Sequence, residues 1–259
     1  MAGRGTGVVL DDGTRHMAKD AIIGAIHPHL LPEMVPGMDA KAAAGARRTQ
    51  ITDAACITIH AALDAPLKFK APDVDAVMVE LMPDSYETLR RAFDDLRYGG
   101  FVRTPLIGLG SLSQFDPSRV PEGKAILHAW DYVPYHRPDG QSWDEAKRGY
   151  ADIMIERMSQ FIENVPDVII EAHVDSPVDM ERTSPSFLRG DLHGIATTTY
   201  QSGAHRPTPE LGQYTVPGVD RLYLVGPFQH PGGGVFGAGR ATAQVMLEEL
   251  GIDFEDVRV

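Results

Sequence analysis

Apolar and polar positions along the chain follow two rhythms, a period of two and a period near 3.6, and the changes between them mark its elements. Near the start an apolar run, Val8 to Leu10, reaches Asp12-Gly13, and a second apolar run ends at Ile26. Asp-Gly between two such runs is a strong hairpin signal, so residues 6–26 read as a hairpin that must pack on something else. HPHLLPEMVPG then reads as a short helix bounded by prolines. ACITIHAAL alternates as a strand from Cys56 to Leu63.

Asp84 and Glu87 form a capping-box pattern that opens the helix SYETLRRAFDDLRYGG. Leu89, Phe93 and Leu96 are its apolar stripe, and Gly99-Gly100 ends it. TPLIGLGSLS and KAILHAWDYVPY read as antiparallel strands around a loop containing Asp116, Pro117, Pro121 and Gly123. Ser142 and Glu145 make a second capping box. Behind it Trp143, Ala146, Tyr150, Ile153, Met154, Met158, Phe161 and Ile162 trace one helical face that stops before Pro166. DVIIEAHV is a further strand, and the Pro-, Gly-, Ser- and Thr-rich stretch from Ser176 to Gly218 reads as long irregular connections. The strand RLYLVG, a glycine turn and a helix from about Ala238 to Leu250 complete the pattern.

The glycine turn carries the strongest chemical signal. Gly232, Gly234 and Gly237 match G-x-G-x-x-G, and Gly226, Gly233 and Gly239 lie in the same 14 residues. A strand that delivers glycines onto a helix start leaves main-chain N–H groups unpaired, adds the positive end of the helix dipole and lets a ligand approach closely. A plain strand-to-helix connection needs fewer glycines than this. The turn does not read as the first turn of a dinucleotide-binding half, because no following strand bears a ribose-binding acid. Behind the helix stands only GIDFEDVRV, whose Asp253 and Glu255 read as a solvated tail.

Composition removes several alternatives. The net charge of −12, spread along the whole of a 259-residue chain, argues against nucleic acid as a partner, since such binding depends on basic surface. Cys56 is the one cysteine, so no internal disulfide forms and a reducing compartment is favoured. The N-terminus has no apolar signal core and no apolar run approaches membrane-spanning length, which gives a cytoplasmic expectation and no transmembrane segment. His27-x-His29 has no third ligand of matching pattern, so no metal site is expected. GLGSLS is not a nucleophile elbow. His230, inside the glycine turn, either approaches a ligand or anchors the turn by hydrogen bonds. Trp130 and Tyr132 share a face opposite the polar Asp131. That face is either the lining of an apolar substrate cavity or, more plainly, sheet core or a helix-covered surface. Arg206 reads as a surface ion pair or, alternatively, an anion contact.

LYLVGPFQHPGGGVFGAGRATAQ resembles the C-terminal flavin motif of the phytoene desaturase and carotenoid oxidoreductase superfamily, in which a strand ends in Gly and a His-Pro-Gly-Gly-Gly turn leads into a helix beside the flavin. The subgroup it most resembles contains beta-carotene ketolase-like proteins and pyridine nucleotide-disulfide oxidoreductase domain protein 2. GVVLDDGTRHMAKDAIIGAIHPHLL is similar to the family hairpin before the substrate domain, and AWDYVPYHRPDGQSWDEAKRGYAD to its strand, loop and Trp-Asp helix. SGAHRPTPELGQYTVPGVDRLYLVG resembles its approach to the flavin. The strand–GxGxxG–helix unit with which the family begins has no counterpart here.

The resemblance therefore implies a C-terminal half. Its fold class is α/β (α+β), with a mixed-sheet substrate domain covered by helices and pieces of a glutathione reductase-like FAD-binding domain that lacks the N-terminal Rossmann unit. Residues 1–28 and 215–259 would belong to the FAD-binding domain and 29–214 to the substrate domain. Gly226, His230, Pro231, Gly232, Gly233, Gly234 and Gly237 carry over as flavin-side contacts. The implied activity is hydride removal from an apolar small molecule to FAD, with no obligatory acid–base residue and none assigned. A complementary N-terminal FAD-binding chain, or a homo-oligomer, is the implied partner. Two other readings are a non-catalytic domain that binds an apolar ligand or a protein and has lost FAD, and a truncated product with exposed apolar strands.

Overall fold

A computed structural model describes residues 3–52, 54–74, 76–233 and 237–257. The chain divides into two units, one of Met1–Thr52, Pro185–Leu188 and His193–Val259, the other of Asp53–Ser184 and Arg189–Leu192. It enters the first through β1 (Gly3–Arg4), β2 (Gly7–Val9), β3 (Arg15–Met17), β4 (Ile22–Gly24), α1 (Leu31–Met34) and α2 (Ala40–Arg47). The second contains β5 (Ala55–Leu63), β6 (Met78–Leu81), α3 (Tyr86–Arg97), β7 (Ile107–Gly110), β8 (Ala125–Val133), α4 (Trp143–Ser159), β9 (Ile169–Asp175) and α5 (Pro177–Thr183). The chain returns to the first as β10 (Thr215–Val216), β11 (Val219–Leu224), α6 (Ala238–Leu250) and α7 (Phe254–Val257). The stretches 1–28 and 215–259 thus share a unit, which also takes 29–52 and 193–214.

In the first unit β11 is the central strand. It runs parallel to β1 and β4 and antiparallel to β10. This corrects the hairpin expectation. Asp12-Gly13 does turn the chain, and the Asp12 carboxylate accepts a hydrogen bond from the Thr14 N–H at 2.8 Å. The returning strand, however, is Arg15–Met17, paired Gly7 to Met17. The apolar run ending at Ile26 instead pairs with β11, Leu222 opposite Ile22 and Leu224 opposite Gly24. The reason is burial. Ile22 and Ile26 pack there against a core containing Leu31, Val216, Leu222 and Leu224, whereas Val9 and Met17 on the hairpin stay 65% and 71% exposed. Helix α6 is fastened to β11 by Thr242, whose hydroxyl donates to the Leu224 carbonyl at 2.8 Å, and by Tyr223, which donates to the Glu249 carboxylate at 2.6 Å.

The second unit is a five-stranded sheet in the order β6-β7-β8-β5-β9, antiparallel throughout, so the mixed sheet is that of the first unit. Ile57, Ile59 and Leu63 on one face of β5 meet Trp143, Met154 and Met158 of α4 in the larger core. The expected Ser142 cap is present, its hydroxyl accepting from the Glu145 N–H at 3.3 Å. On α3 the cap is Ser85, which accepts from the Thr88 N–H at 3.1 Å, and not Asp84. Extended backbone at Ser85 lets its side chain fold back onto the first turn. Phe93 of the expected stripe is half exposed, and Ala92 and Leu96 are buried. Part of the stretch expected to be irregular is helical. Ser176 and Asp179 close a reciprocal capping box around Pro177, which suits the first helical position, and so form α5.

Candidate functional site

The described part of the turn from β11 to α6 is rich in glycines of positive φ. Gly226 (φ +106°), Gly232 (+79°), Gly233 (+67°) and Gly237 (+76°) all adopt the left-handed region that residues with a Cβ avoid. At Gly232 close approach adds to this: a Cβ would stand 2.4 Å from Arg206 Nε. At Gly237 a Cβ would stand 2.9 Å from the Pro231 ring. His230 and Pro231 are exposed, and the His230 carbonyl accepts from the Tyr214 hydroxyl at 3.3 Å. Gly234, the remaining predicted contact, lies outside the described residues.

Behind the turn is a support that sequence reasoning missed. Arg206 is buried, not a surface ion pair. Its guanidinium donates to the Pro227 carbonyl from Nε at 3.1 Å and from Nη2 at 2.7 Å, and reaches the carbonyls of His193, Ile195 and Ala196. Phe228 packs edge-on against the buried His27 imidazole, with ring centroids 5.1 Å apart. His27 Nδ1 accepts from the His29 N–H at 3.2 Å, so this His-x-His pair caps a turn. Burial, and secondarily His29, lower the pKa of His27 to about 4, leaving it neutral at pH 7. Gln229 is buried as well. Among the described residues His27 Nε2 and Gln229 Oε1 have no hydrogen-bond partner. The sequence signals were slight: one arginine in a Pro- and Thr-rich stretch, and a glutamine between Phe and His.

No side chain caps α6 at Gly237, and the first N–H groups of any helix lack intrahelical acceptors. A Cβ built at Gly233 or Gly239 meets nothing within 4 Å among the described residues. Among the described residues, Arg206 fills the back of the bend at Gly232, and no side chain stands over Gly233 or Gly239.

In the second unit β8 reverses the expected polarity of its faces. Asp131 is fully buried while Trp130 and Tyr132 are half-buried on the opposite face. Asp131 Oδ1 accepts from the N–H groups of Leu106 and Tyr132 at 2.9 and 2.8 Å, and Oδ2 from the Tyr150 hydroxyl at 2.7 Å. Burial raises the Asp131 pKa to about 6 despite these donors. Asp131→Asn keeps the acceptor for both N–H groups and removes a buried charge. It is expected to raise stability at pH 8 by about 1–3 kcal/mol, measured by urea denaturation; a loss would show that the charge itself is needed.

On the other face Trp130 lies across Gly108, where a Cβ would stand 2.1 Å from the indole. His128 packs beside Trp130 at 5.3 Å and stacks on His60 at 4.6 Å, while Tyr132 is covered by residues of α3. Cys56 is buried and its pKa is pushed up to about 12 by burial and the nearby Asp131 and Asp191, so it is a thiol and not a nucleophile. Among the described residues no group of three or more His, Cys, Asp or Glu is placed to hold a metal ion, and no helix is long and apolar enough to cross a membrane.

No family model matches the chain. It is 28% identical to mouse pyridine nucleotide-disulfide oxidoreductase domain-containing protein 2 over 96% of its own length and 45% of that protein. It is 26% identical to a limonene dehydrogenase component of Castellaniella defragrans over 75% of the chain and 37% of the relative. A third relative is the lycopene-forming phytoene desaturase of Pseudescherichia vulneris, 26% identical over 52% of the chain and 27% of that enzyme. The chain spans less than half the length of the curated relatives it matches. These similarities support the resemblance at the level of the oxidoreductase superfamily.

Proposed function

We propose that the chain is the C-terminal part of an FAD-dependent oxidoreductase of desaturase or dehydrogenase type and provides the flavin-ring side of its cofactor site. The observation that carries this reading is the glycine-rich turn running into an uncapped helix, with space at Gly233 and Gly239 among the described residues and Arg206 behind it. Gly226, His230, Pro231, Gly232, Gly233, Gly234 and Gly237 would hold the cofactor. When bound, FAD would accept a hydride from an apolar substrate. The main-chain N–H groups at the start of α6 favour negative charge beside them through the helix dipole. His27 and Phe228 keep the ground behind the turn dry, and Arg206 holds the chain on either side of it in place.

The adenine end would be held by a nucleotide-binding part outside this chain, in the same or a separate polypeptide. Its seat is the free edge of β4. Parallel strands normally lie within larger, covered sheets, yet among the described strands β4 pairs with β11 alone and Ile23 is 54% exposed. Co-purification with a strand–GxGxxG–helix part should give yellow protein with flavin absorbance. Gly239→Leu, in an ordinary helical conformation with open space above it, should leave the circular dichroism unchanged and lower flavin retention at least about tenfold. Colourless protein with and without the partner, or retention indifferent to Gly239→Leu, would overturn the reading.

A further inference from the structure

A cavity of about 590 Å³ opens in the second unit between α4, the segment following α3 and the loop preceding α4. That volume lies in the range of small-molecule sites. Its apolar wall is Phe101, Val102, Pro105 and Ile153. Ile153 belongs to the apolar stripe of α4 yet is 50% exposed, so protein packing does not use it fully. Gly149, one turn earlier, is equally unexplained by packing. Glycine is the poorest helix former after proline, and a Cβ at Gly149 meets nothing within 4 Å among the described residues. The helix gives up propensity there and gains empty space over the cavity.

The charges are arranged unequally. Arg137 is held between the rings of Phe101 and Trp143, at 4.8 and 4.9 Å, and its charge is met by Asp139 at 2.6 Å. Arg103 is exposed and, among the described residues, has no hydrogen-bond or ion-pair partner. Glu145 is the one carboxylate in the lining. The lining is therefore cationic by one charge in a chain of net charge −12. Glu145 opposes a second negative charge on the ligand.

We propose that this cavity binds a small amphipathic monocarboxylate, its hydrocarbon part against Phe101, Val102, Pro105 and Ile153 and its carboxylate at Arg103. The site is separate from the glycine turn and does not depend on the flavin reading. A guanidinium presents a planar fork matched to a carboxylate, and the apolar wall supplies the affinity that an exposed ion pair alone lacks.

Isothermal titration of the full chain with sodium octanoate tests this, with sodium acetate and 1-octanol as partial probes. Saturable 1:1 binding of octanoate, at least about tenfold weaker for either partial probe, is the expected result. Arg103→Gln should weaken octanoate about tenfold and leave octanol unchanged. Gly149→Leu should abolish binding of both with the circular dichroism intact. Absence of saturable octanoate binding overturns the proposal. So does binding that survives Gly149→Leu but is lost in Trp130→Ala, which would place octanoate on the aromatic face of the sheet.

Discussion

Arg206→Met is expected to lower the stability of the chain by about 3–5 kcal/mol. Arg206 is 2% exposed and donates to the Pro227 carbonyl twice while reaching three carbonyls between His193 and Ala196. Methionine fills much of the same volume, so the loss reports on unpaired carbonyls more than on a cavity. Arg206→Lys keeps the charge but not the fork, and should fall between the two. Gly232 rests on the same guanidinium, so the substitution also removes the floor of the turn. The urea midpoint, followed by circular dichroism, reads the effect. A methionine variant within about 1 kcal/mol of the parent would show that the buried cation is dispensable.

The second large effect is hidden in the parent by a cancellation. His27 has its pKa lowered from 6.5 to about 4, chiefly by burial, so the unfolded chain takes up a proton there before the folded one. Its contribution is complete above pH 6.5 and is lost as pH falls towards 4, by up to about 3 kcal/mol. Asp131 has its pKa raised from 3.8 to about 6, again chiefly by burial. There the folded state takes up the proton first. Its contribution is complete below pH 3.8 and is lost as pH rises through 6, by a similar amount of about 3 kcal/mol. The two windows nearly coincide and the signs oppose. Asp131→Asn should therefore expose the His27 loss between pH 7 and pH 4. Adding His27→Asn, whose side-chain oxygen can still accept from the His29 N–H, should remove most of it. Urea midpoints at the two pH values for the single and double variants are the measurement. Equal pH slopes in both would sink the assignment to His27.

How legible the fold was depends on whether neighbours along the chain decide a feature. The strand Ala55–Leu63, the helix Trp143–Ser159 with its Ser142 cap, and the helix Ala238–Leu250 behind its glycine turn were all readable. Period, cap and stop signal lie within a few residues of one another in each. Asp84 and Ser85 are both N-cap residue types, the Glu87 spacing favours Asp84, and only the backbone conformation selects Ser85. The helix Pro177–Thr183 is illegible in the sequence because its proline reads as a breaker away from a helix start and as an initiator at one.

At the candidate site, the run of glycines was visible from residue identity alone, since missing side chains are a local property. Arg206, His27 and Gln229 were not, because what makes them matter is burial among distant carbonyls and rings. Nothing in the letters around Asp131 shows that the polar member of that alternating strand faces inward; three donors from Leu106, Tyr132 and Tyr150 decide it. The sequence by itself determined where the main chain is bare, where helices begin and which stretches extend. Tertiary structure alone decided that the run ending at Ile26 joins β11 and not the hairpin, and which face of β8 is inside. The reason is that hydrogen-bond ladders accept many partners, and the choice among them is made by the apolar area each one buries and the polar groups each one leaves unpaired.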